Sequence, residues 1–273
     1  MRSGAVLLLM ALSFAALAAP KAELWERWAA STAGKVAIDH SAWNGFLSRH
    51  VQEGKDGINR IAYGKVPKAD RDALRAYLDA MQKVAIRKFN RAEQRAYWIN
   101  LYNAATVQVV LEHYPVDSIL KIDISPGLFA KGPWKKKLLE VEGEPVSLDD
   151  MEHRILRPIW KDPRTHYAVN CASLGCPNLQ PQAYTAGNME ALLDAGARAY
   201  VNHPRGASVA KGRLTVSSIY VWFQGDFGGG DAGVIAHLRQ YAEPALKKAL
   251  ADVRRVGGHD YDWTLNDAKG SRR

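Results

Sequence analysis

The sequence has little cysteine, and it has no long apolar run after its first 17 residues. Two cysteines among 273 residues are too few to build a disulfide scaffold. No later stretch is apolar enough to span a bilayer, and there is neither an internal repeat nor a low-complexity tract. These absences exclude a disulfide-rich mini-protein, a repeat array and a polytopic membrane protein. The hydrophobic content of 47% supports a large packed core instead.

The beginning of the chain has the pattern of a secretory signal peptide. Arg2 precedes an apolar run over residues 4–17, and Ala16-Leu17-Ala18 provides an A-x-A cleavage pattern. The run is short for a membrane anchor. We therefore expect residues 1–18 to be removed and the mature protein to be exported, periplasmic or secreted, without a membrane span. Disulfides can persist in such a compartment.

The charge is strongly basic, with a formal net charge of +9. A basic exported protein can meet anionic partners such as cell-envelope polymers. Export argues against nucleic acid as a partner. Dense basic spots such as Lys135-Lys136-Lys137 are also typical of a solvated face, and this simpler interpretation is preferred.

Hydrophobic periodicity predicts a mixed architecture. Helices are expected over residues 22–50, 68–88, 90–115, 147–160, 186–203 and 232–251. The helix over 90–115 is apolar on much of its circumference, and Asn90 with Glu93 three positions later forms a capping-box pattern. Strands are expected over 135–148 as a strand–turn–strand unit, over 165–171 and over 212–223. Helices precede most strands, which predicts an α+β fold with helices packed on a small, mostly antiparallel sheet.

Both cysteines lie in the segment THYAVNCASLGCPN (165–178), and three interpretations are open. A Cys171–Cys176 disulfide would close a very short loop and add little stability. A zinc site would need two more ligands, and His153 and His166 do not have the usual close spacing of a histidine pair. Alternatively, Cys171 is a nucleophile at a strand end, followed by a turn whose amides could hold an oxyanion.

A cysteine nucleophile needs a base and a group that orients the base. A regular strand would point His166 and Cys171, five positions apart, to opposite faces. His153 on the preceding helix is therefore the preferred base, with His166 in reserve. Glu93 is the candidate acid, although a glutamate at this position of a capping box can have a purely local role.

Two asparagines, Asn100 and Asn103, lie three positions apart in the apolar helix. Asparagine is a poor helix-interior residue, and its amide is costly to bury without partners. We expect these side chains to bracket loop backbone. Support of an oxyanion is the alternative.

Four ordered motifs resemble the DUF547 family, a domain of unknown function found in bacterial exported proteins and in plants: AEQRAYWINLYNAATVQVVLEHYP, SLDDMEHRILR, HYAVNCASLGCPNL and YDWTLND. The resemblance covers roughly residues 85–220 and 261–267. It implies a DUF547-like domain over 85–267, preceded by a helical appendage over 19–84 and followed by a loose tail over 268–273.

The family is similar to papain-like thiol hydrolases with circularly permuted catalytic residues. This resemblance implies a papain-like permuted core, with Glu93, His153 and Cys171 as the catalytic acid, base and nucleophile. It implies a peptide or ester substrate, no metal and no cofactor. Plant members carry serine at the position of Cys176, so the disulfide is not a family-wide requirement. The alternative function is a non-catalytic binding or structural domain at the cell envelope with a Cys171–Cys176 disulfide.

Overall fold

A computed structural model of the chain describes residues 20–127 and 130–268. The predicted signal peptide and nearly all of the predicted tail lie outside these residues. The described part forms helices and small sheets, which confirms the predicted α+β class. None of its helices combines the length and the apolar character needed to cross a membrane.

The elements follow in this order: α1 (Ser41–His50), β1 (Val51–Glu53), β2 (Asn59–Ile61), α2 (Lys68–Gln82), α3 (Arg91–His113), β3 (Leu139–Val141), β4 (Glu144–Val146), a π-helix (Asp150–Leu156), α4 (Arg157–Trp160), α5 (Thr165–Ala168), α6 (Met189–Val201), β5 (Ala207–Ala210), β6 (Arg213–Ser217), α7 (Ser218–Trp222), α8 (Gly230–Tyr241), α9 (Pro244–Ala249) and β7 (Val256–Asp260). Pairs β1–β2 and β3–β4 are antiparallel hairpins. In the third sheet β6 pairs antiparallel with β5 and parallel with β7.

Helix α3 is the axis of the larger hydrophobic core. The side chain of Asn90 accepts hydrogen bonds from the main-chain N–H groups of Ala92 and Glu93, which confirms the predicted cap. Every residue from Glu93 to Leu111 is buried, because α2, the π-helix and the 3₁₀ turns Tyr63–Lys65 and Ile86–Lys88 pack around the helix. A second core lies between α6, α8 and the β5–β6–β7 sheet.

The predicted helix over residues 22–50 is wrong for most of its length. Only a 3₁₀ turn at Glu26–Trp28 and helix α1 are helical. The N–H groups of Glu23 and Trp25 donate to the carbonyl oxygens of His153 and Arg154 instead of to their own segment. Main-chain bonds to the rest of the domain therefore replace the intrahelical bonds, and the segment packs along the π-helix.

The predicted strand over 165–171 is also wrong, because its first half is the helical turn α5. Asp162 and Pro163 begin this turn: the Asp162 side chain accepts from Arg164 N–H, and the Asp162 carbonyl accepts from Thr165 N–H. The chain becomes extended only from Val169 onward. The argument that placed His166 and Cys171 on opposite faces of a strand therefore has no basis. Similarly, the strand predicted over 212–223 stops at Ser217, whose hydroxyl caps α7.

Candidate functional site

The two cysteines are joined by a disulfide across a tight loop, with their Cα atoms 6.2 Å apart. Cys171 is partly exposed, whereas Cys176 is buried at 3% exposure. Between them Ala172 adopts a left-handed backbone conformation with φ of 57°. The main-chain N–H of Cys171 donates to Cys176 Sγ at 2.9 Å.

The loop is fixed to the segment that follows β7. Leu174 N–H donates to Thr264 O and Gly175 N–H donates to Asp262 O, both at 2.8 Å. A Cβ atom at Gly175 would lie 2.8 Å from the main-chain nitrogen of Asp262, so this close approach requires glycine. The cysteine motif and the closing YDWTLND motif therefore form one structural unit.

Two hydroxyl groups contact the sulfur of Cys171. Tyr261 OH lies 3.1 Å and Ser173 Oγ lies 3.3 Å from Cys171 Sγ. Ser173 Oγ also donates to Tyr261 OH at 3.1 Å, which orients the phenol proton toward the sulfur. Burial raises the pKa of Tyr261 well above its usual value, so the phenol remains a donor. The Tyr261 hydroxyl, oriented by Ser173, would stabilise a Cys171 thiolate.

An acid–base cluster is defined here as Glu152, His153, Arg157, His166 and Asp226, which hydrogen bonds and ion pairs join to one another. The π-helix and α4 supply the first three residues, α5 supplies His166 and the glycine-rich loop after α7 supplies Asp226. His166 Nε2 lies 2.7 Å from Asp226 Oδ2, and its Nδ1 lies 3.6 Å from Glu152 Oε1. Arg157 Nε donates to Asp226 Oδ2 at 2.6 Å.

The charges in this cluster compensate one another. Burial by itself would lower the pKa of His166, but hydrogen bonds and charge from Asp226 and Glu152 outweigh burial and raise it. Burial would raise the pKa of Glu152, but the neighbouring side chains of His153, His166 and Arg157, with a hydrogen bond from His166, bring it to about 2. His166 and Arg157 similarly hold the pKa of Asp226 far below its usual value despite burial. The two carboxylates therefore favour the imidazolium form of His166.

His153 differs from His166 in its charge. Burial lowers the pKa of His153 to about 4, helped by the charges of Arg157 and His166. Arg157 Nη1 lies 3.0 Å from His153 Nδ1 and can only donate, so Nδ1 is the acceptor and the ring proton is on Nε2. Nε2 lies 3.8 Å from Asp149 Oδ1, a carboxyl whose pKa burial raises to about 6. His153 is thus neutral at pH 7, and its acceptor nitrogen is already occupied.

Aromatic rings connect the cluster to the cysteine loop. The Phe223 ring stacks on His166 with centroids 4.4 Å apart, and the neighbouring Trp222 packs on Tyr261 at 4.9 Å. Trp263 contacts both Trp222 and Tyr261. The Glu152 carboxylate is close enough for its charge to raise the pKa of Tyr261. The neighbouring rings of Trp222 and Phe223 therefore connect Tyr261, which contacts Cys171, to His166 of the acid–base cluster.

Glu93 lies elsewhere in the fold. Its Oε2 accepts from the main-chain N–H of Ile38 at 3.0 Å and so ties the N-terminal segment to α3. Across residues 20–127 and 130–268, no hydrogen bond or ion pair joins Glu93 to His153, or His153 to Cys171. The structure does not bring the three predicted catalytic residues into direct contact.

The two asparagines bind main chain, as expected for buried amides. Asn100 donates to Tyr184 O at 2.7 Å and accepts from Tyr184 N–H at 3.0 Å. Asn103 donates to Ala168 O and accepts from Asn170 N–H, both at 2.8 Å. Asn103 therefore positions the backbone that leads into Cys171, and neither amide contacts the sulfur.

Sequence reasoning missed Glu152, Asp226 and Tyr261. Each had a recognisable context: Glu152 precedes the candidate base His153, Asp226 interrupts a glycine-rich loop, and Tyr261 opens the closing motif. Their partners are remote in sequence, so only the fold brings them together. Within the described ranges, no group of three or more histidine, cysteine or acidic side chains could hold a metal ion.

A hollow of about 640 Å³ lies at the other end of the larger core, between α2 and the start of α1. Its lining is mostly apolar and rich in alanine, including Ala73, Ala76 and Ala80. It contains none of the cysteine-loop or cluster residues. We therefore place the candidate site at Cys171 on the basis of its chemistry.

One family model matches the chain. Residues 86–201 match DUF547, described as a protein family of unknown function. The matched range contains α3, the π-helix, the cysteine loop and α6. No curated protein and no solved structure matches the chain.

Proposed function

We propose that this chain, whose residues 86–201 belong to the DUF547 family, is an exported cysteine-dependent hydrolase that cleaves an amide or ester bond. The observation that carries the proposal is the setting of Cys171. Cys171 is partly exposed, its sulfur contacts the protonated phenol of Tyr261 at 3.1 Å, and Tyr261 packs on Trp222, whose neighbour Phe223 stacks on His166. A nucleophilic cysteine requires such a setting.

In the proposed reaction the reduced form of the protein is active. The Cys171 thiolate, stabilised by the hydroxyl of Tyr261, attacks the substrate carbonyl carbon. The imidazolium of His166 gives its proton to the leaving amine or alcohol as the C–N or C–O bond breaks. His166 then takes a proton from water, the resulting hydroxide attacks the thioester carbonyl, and the C–S bond breaks to release the carboxylic acid and the Cys171 thiolate. Asp226 orients His166.

This assignment moves the acid–base role from His153 to His166. The geometric objection to His166 rested on a strand that does not exist, and His166 has the carboxylate partner that a catalytic histidine needs. His153 is neutral, and its acceptor nitrogen receives a hydrogen bond from Arg157. Asp226 takes the orienting role predicted for Glu93.

Acyl transfer from an activated ester tests the proposal. Protein with Cys176→Ser, reduced with a dithiol, is mixed with p-nitrophenyl acetate at pH 7 and analysed by mass spectrometry. We expect one acetyl group on Cys171, slow release by hydrolysis, and neither in Cys171→Ala. His166→Gln should slow acylation at least tenfold, whereas Glu93→Gln should not. Absence of an acetyl-enzyme from the folded, reduced protein would refute the hydrolase.

Export and an anionic envelope partner are part of the proposal. Both are supported by the signal-peptide pattern and by the net charge of +9. Expression of the full chain in a Gram-negative bacterium, followed by fractionation and mass measurement, tests export. We expect periplasmic protein that begins at Ala19. Cytoplasmic protein that retains residues 1–18 would contradict it.

The disulfide favours a second candidate function, a non-catalytic envelope domain. In that case the cysteines would remain oxidised and the basic surface would dock to an anionic polymer. Counting free thiols by alkylation and mass in the isolated periplasmic protein, before and after mild reduction, separates the two functions. A disulfide that resists reduction in the folded protein favours the non-catalytic domain.

A further inference from the structure

We propose that Cys176 is a resolving thiol: it traps the oxidised form of Cys171 as a disulfide, which switches the site off and protects the nucleophile. This inference rests on the proposed nucleophilic role of Cys171 and names the regulation of that same site. The disulfide of the structure is then the resting, oxidised state.

A resolving mechanism needs one cysteine that the oxidant can reach and a second, sheltered cysteine beside it, and Cys171 and Cys176 differ in this way. Cys171 is partly exposed and has the Tyr261 hydroxyl as a donor at its sulfur, so a small oxidant reaches it first. Cys176 is 3% exposed and is sheltered from solvent. The N–H of Cys171 donates to Cys176 Sγ at 2.9 Å, which favours its thiolate form as the attacking sulfur.

Hydrogen bonds hold the loop independently of the disulfide. Tyr200 OH donates to Gly175 O at 2.6 Å and Arg205 Nη1 donates to Leu174 O at 2.7 Å. Asn170 Nδ2 donates to Pro177 O at 2.7 Å, directly beyond Cys176. Because these bonds join the loop to buried residues, reduction leaves the two sulfurs close together. A cross-link over so short a loop also stabilises a fold less than a cross-link over a long loop does.

The chemistry balances with a peroxide as oxidant and a dithiol as reductant. The Cys171 thiolate attacks one peroxide oxygen, the O–O bond breaks, and the products are Cys171 sulfenic acid and hydroxide or an alkoxide. The Cys176 thiolate attacks the Cys171 sulfur, the S–O bond breaks, hydroxide leaves and takes a proton to become water, and the disulfide forms. A dithiol reduces the disulfide by two exchange steps and becomes a cyclic disulfide itself.

Peroxide challenge of the full chain tests the resolving role. Reduced wild type and Cys176→Ser are treated with hydrogen peroxide, then with dithiothreitol, and followed by intact mass and by acetylation with p-nitrophenyl acetate. Wild type should lose two hydrogens and regain full acetylation after dithiothreitol. Cys176→Ser should add two or three oxygens at Cys171 and lose acetylation permanently. Cys171→Ser should form no intramolecular disulfide and remain unacetylated throughout.

The outcomes separate this inference from the proposed function. Equal and irreversible oxidation of wild type and Cys176→Ser would overturn the resolving role, while acetylation of the reduced protein would still support the hydrolase. A disulfide that dithiothreitol reduces only after unfolding would overturn the switch as well. Reversible oxidation without any acetyl-enzyme in the reduced protein would overturn the proposed function, and with it the regulation of a hydrolase.

Discussion

His166 Nε2 lies 2.7 Å from Asp226 Oδ2, and the same carboxylate oxygen accepts from Arg157 Nε at 2.6 Å. The Asp226 carboxylate, which follows α7, thus binds two basic side chains, Arg157 from α4 and His166 from α5. Both cationic side chains are buried, at 3% and 8% exposure. Neutralising this carboxylate leaves two buried charges with less compensation, which is far more costly than the loss of an exposed ion pair.

Asp226→Asn should therefore lower the free energy of unfolding by about 3 kcal/mol. The substitution should also lower the pKa of His166, because Asp226 and Glu152 both raise this pKa and only Glu152 would remain. Urea unfolding measures the stability, and the NMR titration of His166 ring protons measures the pKa. The matched control is Asp252→Asn, which removes an exposed carboxylate and should change stability by less than about 0.5 kcal/mol. Equal effects of the two substitutions would contradict the role of Asp226.

Mild acid should destabilise the protein through three buried neutral histidines. Burial lowers the pKa of His40, His153 and His237 to about 4, whereas the unfolded chain takes up these protons near pH 6.5. Between these values the unfolded state binds more protons, so acidification favours unfolding. From pH 6.5 to 5.5 each histidine removes about 1 kcal/mol of stability.

One group opposes this trend. Burial raises the pKa of Asp149 to about 6, so its folded form takes up a proton as the pH falls. The raised pKa of His166 gives stability that is complete below pH 6.5, so it adds nothing over this range. Asp149 offsets roughly 0.7 kcal/mol, which leaves a net loss of about 2 kcal/mol. Urea unfolding at both pH values measures it. In His237→Gln the stability lost between pH 6.5 and 5.5 should shrink to about 1 kcal/mol. The control His113→Gln, at an exposed position, should not alter this loss. A wild-type stability that is equal at both pH values would disprove the role of the buried histidines.

Tyr261→Phe should make reduced Cys171 less reactive. The substitution removes the hydroxyl 3.1 Å from the sulfur and retains the ring that packs on Trp222 and Trp263. A hydrogen bond worth about 1 kcal/mol corresponds to a roughly five- to tenfold slower alkylation by iodoacetamide at pH 7. The midpoint of the pH–rate profile should rise by about 0.7 pH unit.

This measurement uses protein with Cys176→Ser so that one thiol is followed. Tyr241→Phe is the matched control, because it removes the hydroxyl of another buried tyrosine that contacts Gln240 rather than the cysteine loop. An unchanged alkylation rate in Tyr261→Phe would show that the phenol does not stabilise the thiolate.

Local sequence signals predicted the elements whose stabilising interactions are local. The α3 cap at Asn90 and the β3–β4 hairpin both depend on neighbouring residues, and both predictions are confirmed. The N-terminal segment was mispredicted because its main chain bonds to His153 and Arg154, more than a hundred positions away. The α5 turn was mispredicted because Asp162 and Pro163 begin it upstream of the β-branched run.

The candidate site could be predicted only in part, because some of its contacts join residues that are remote in sequence. Cys171, His153 and His166 stand in recognisable motifs, so their residue types identify them. Asp226 reaches His166 across 60 positions and Tyr261 reaches Cys171 across 90, and no periodic pattern encodes such pairs. The sequence cannot separate the two roles of Glu93, because a buried glutamate looks the same whether its carboxylate binds a histidine or a main-chain amide; in the structure it accepts from Ile38 N–H.

Glu93→Gln distinguishes these two roles of the glutamate. The amide oxygen of glutamine can still accept from Ile38 N–H, so we expect the free energy of unfolding to fall by less than about 1 kcal/mol. Alkylation of reduced Cys171 and acetylation by p-nitrophenyl acetate should keep their wild-type rates and pH profiles, because Glu93 touches neither Cys171 nor His153. Glu93→Ala, which removes the acceptor, should destabilise the fold by about 1–3 kcal/mol and still leave the rates of the folded fraction unchanged. A tenfold loss of acetylation in Glu93→Gln at unchanged stability would instead return the orienting role to Glu93 and contradict the assignment of Asp226.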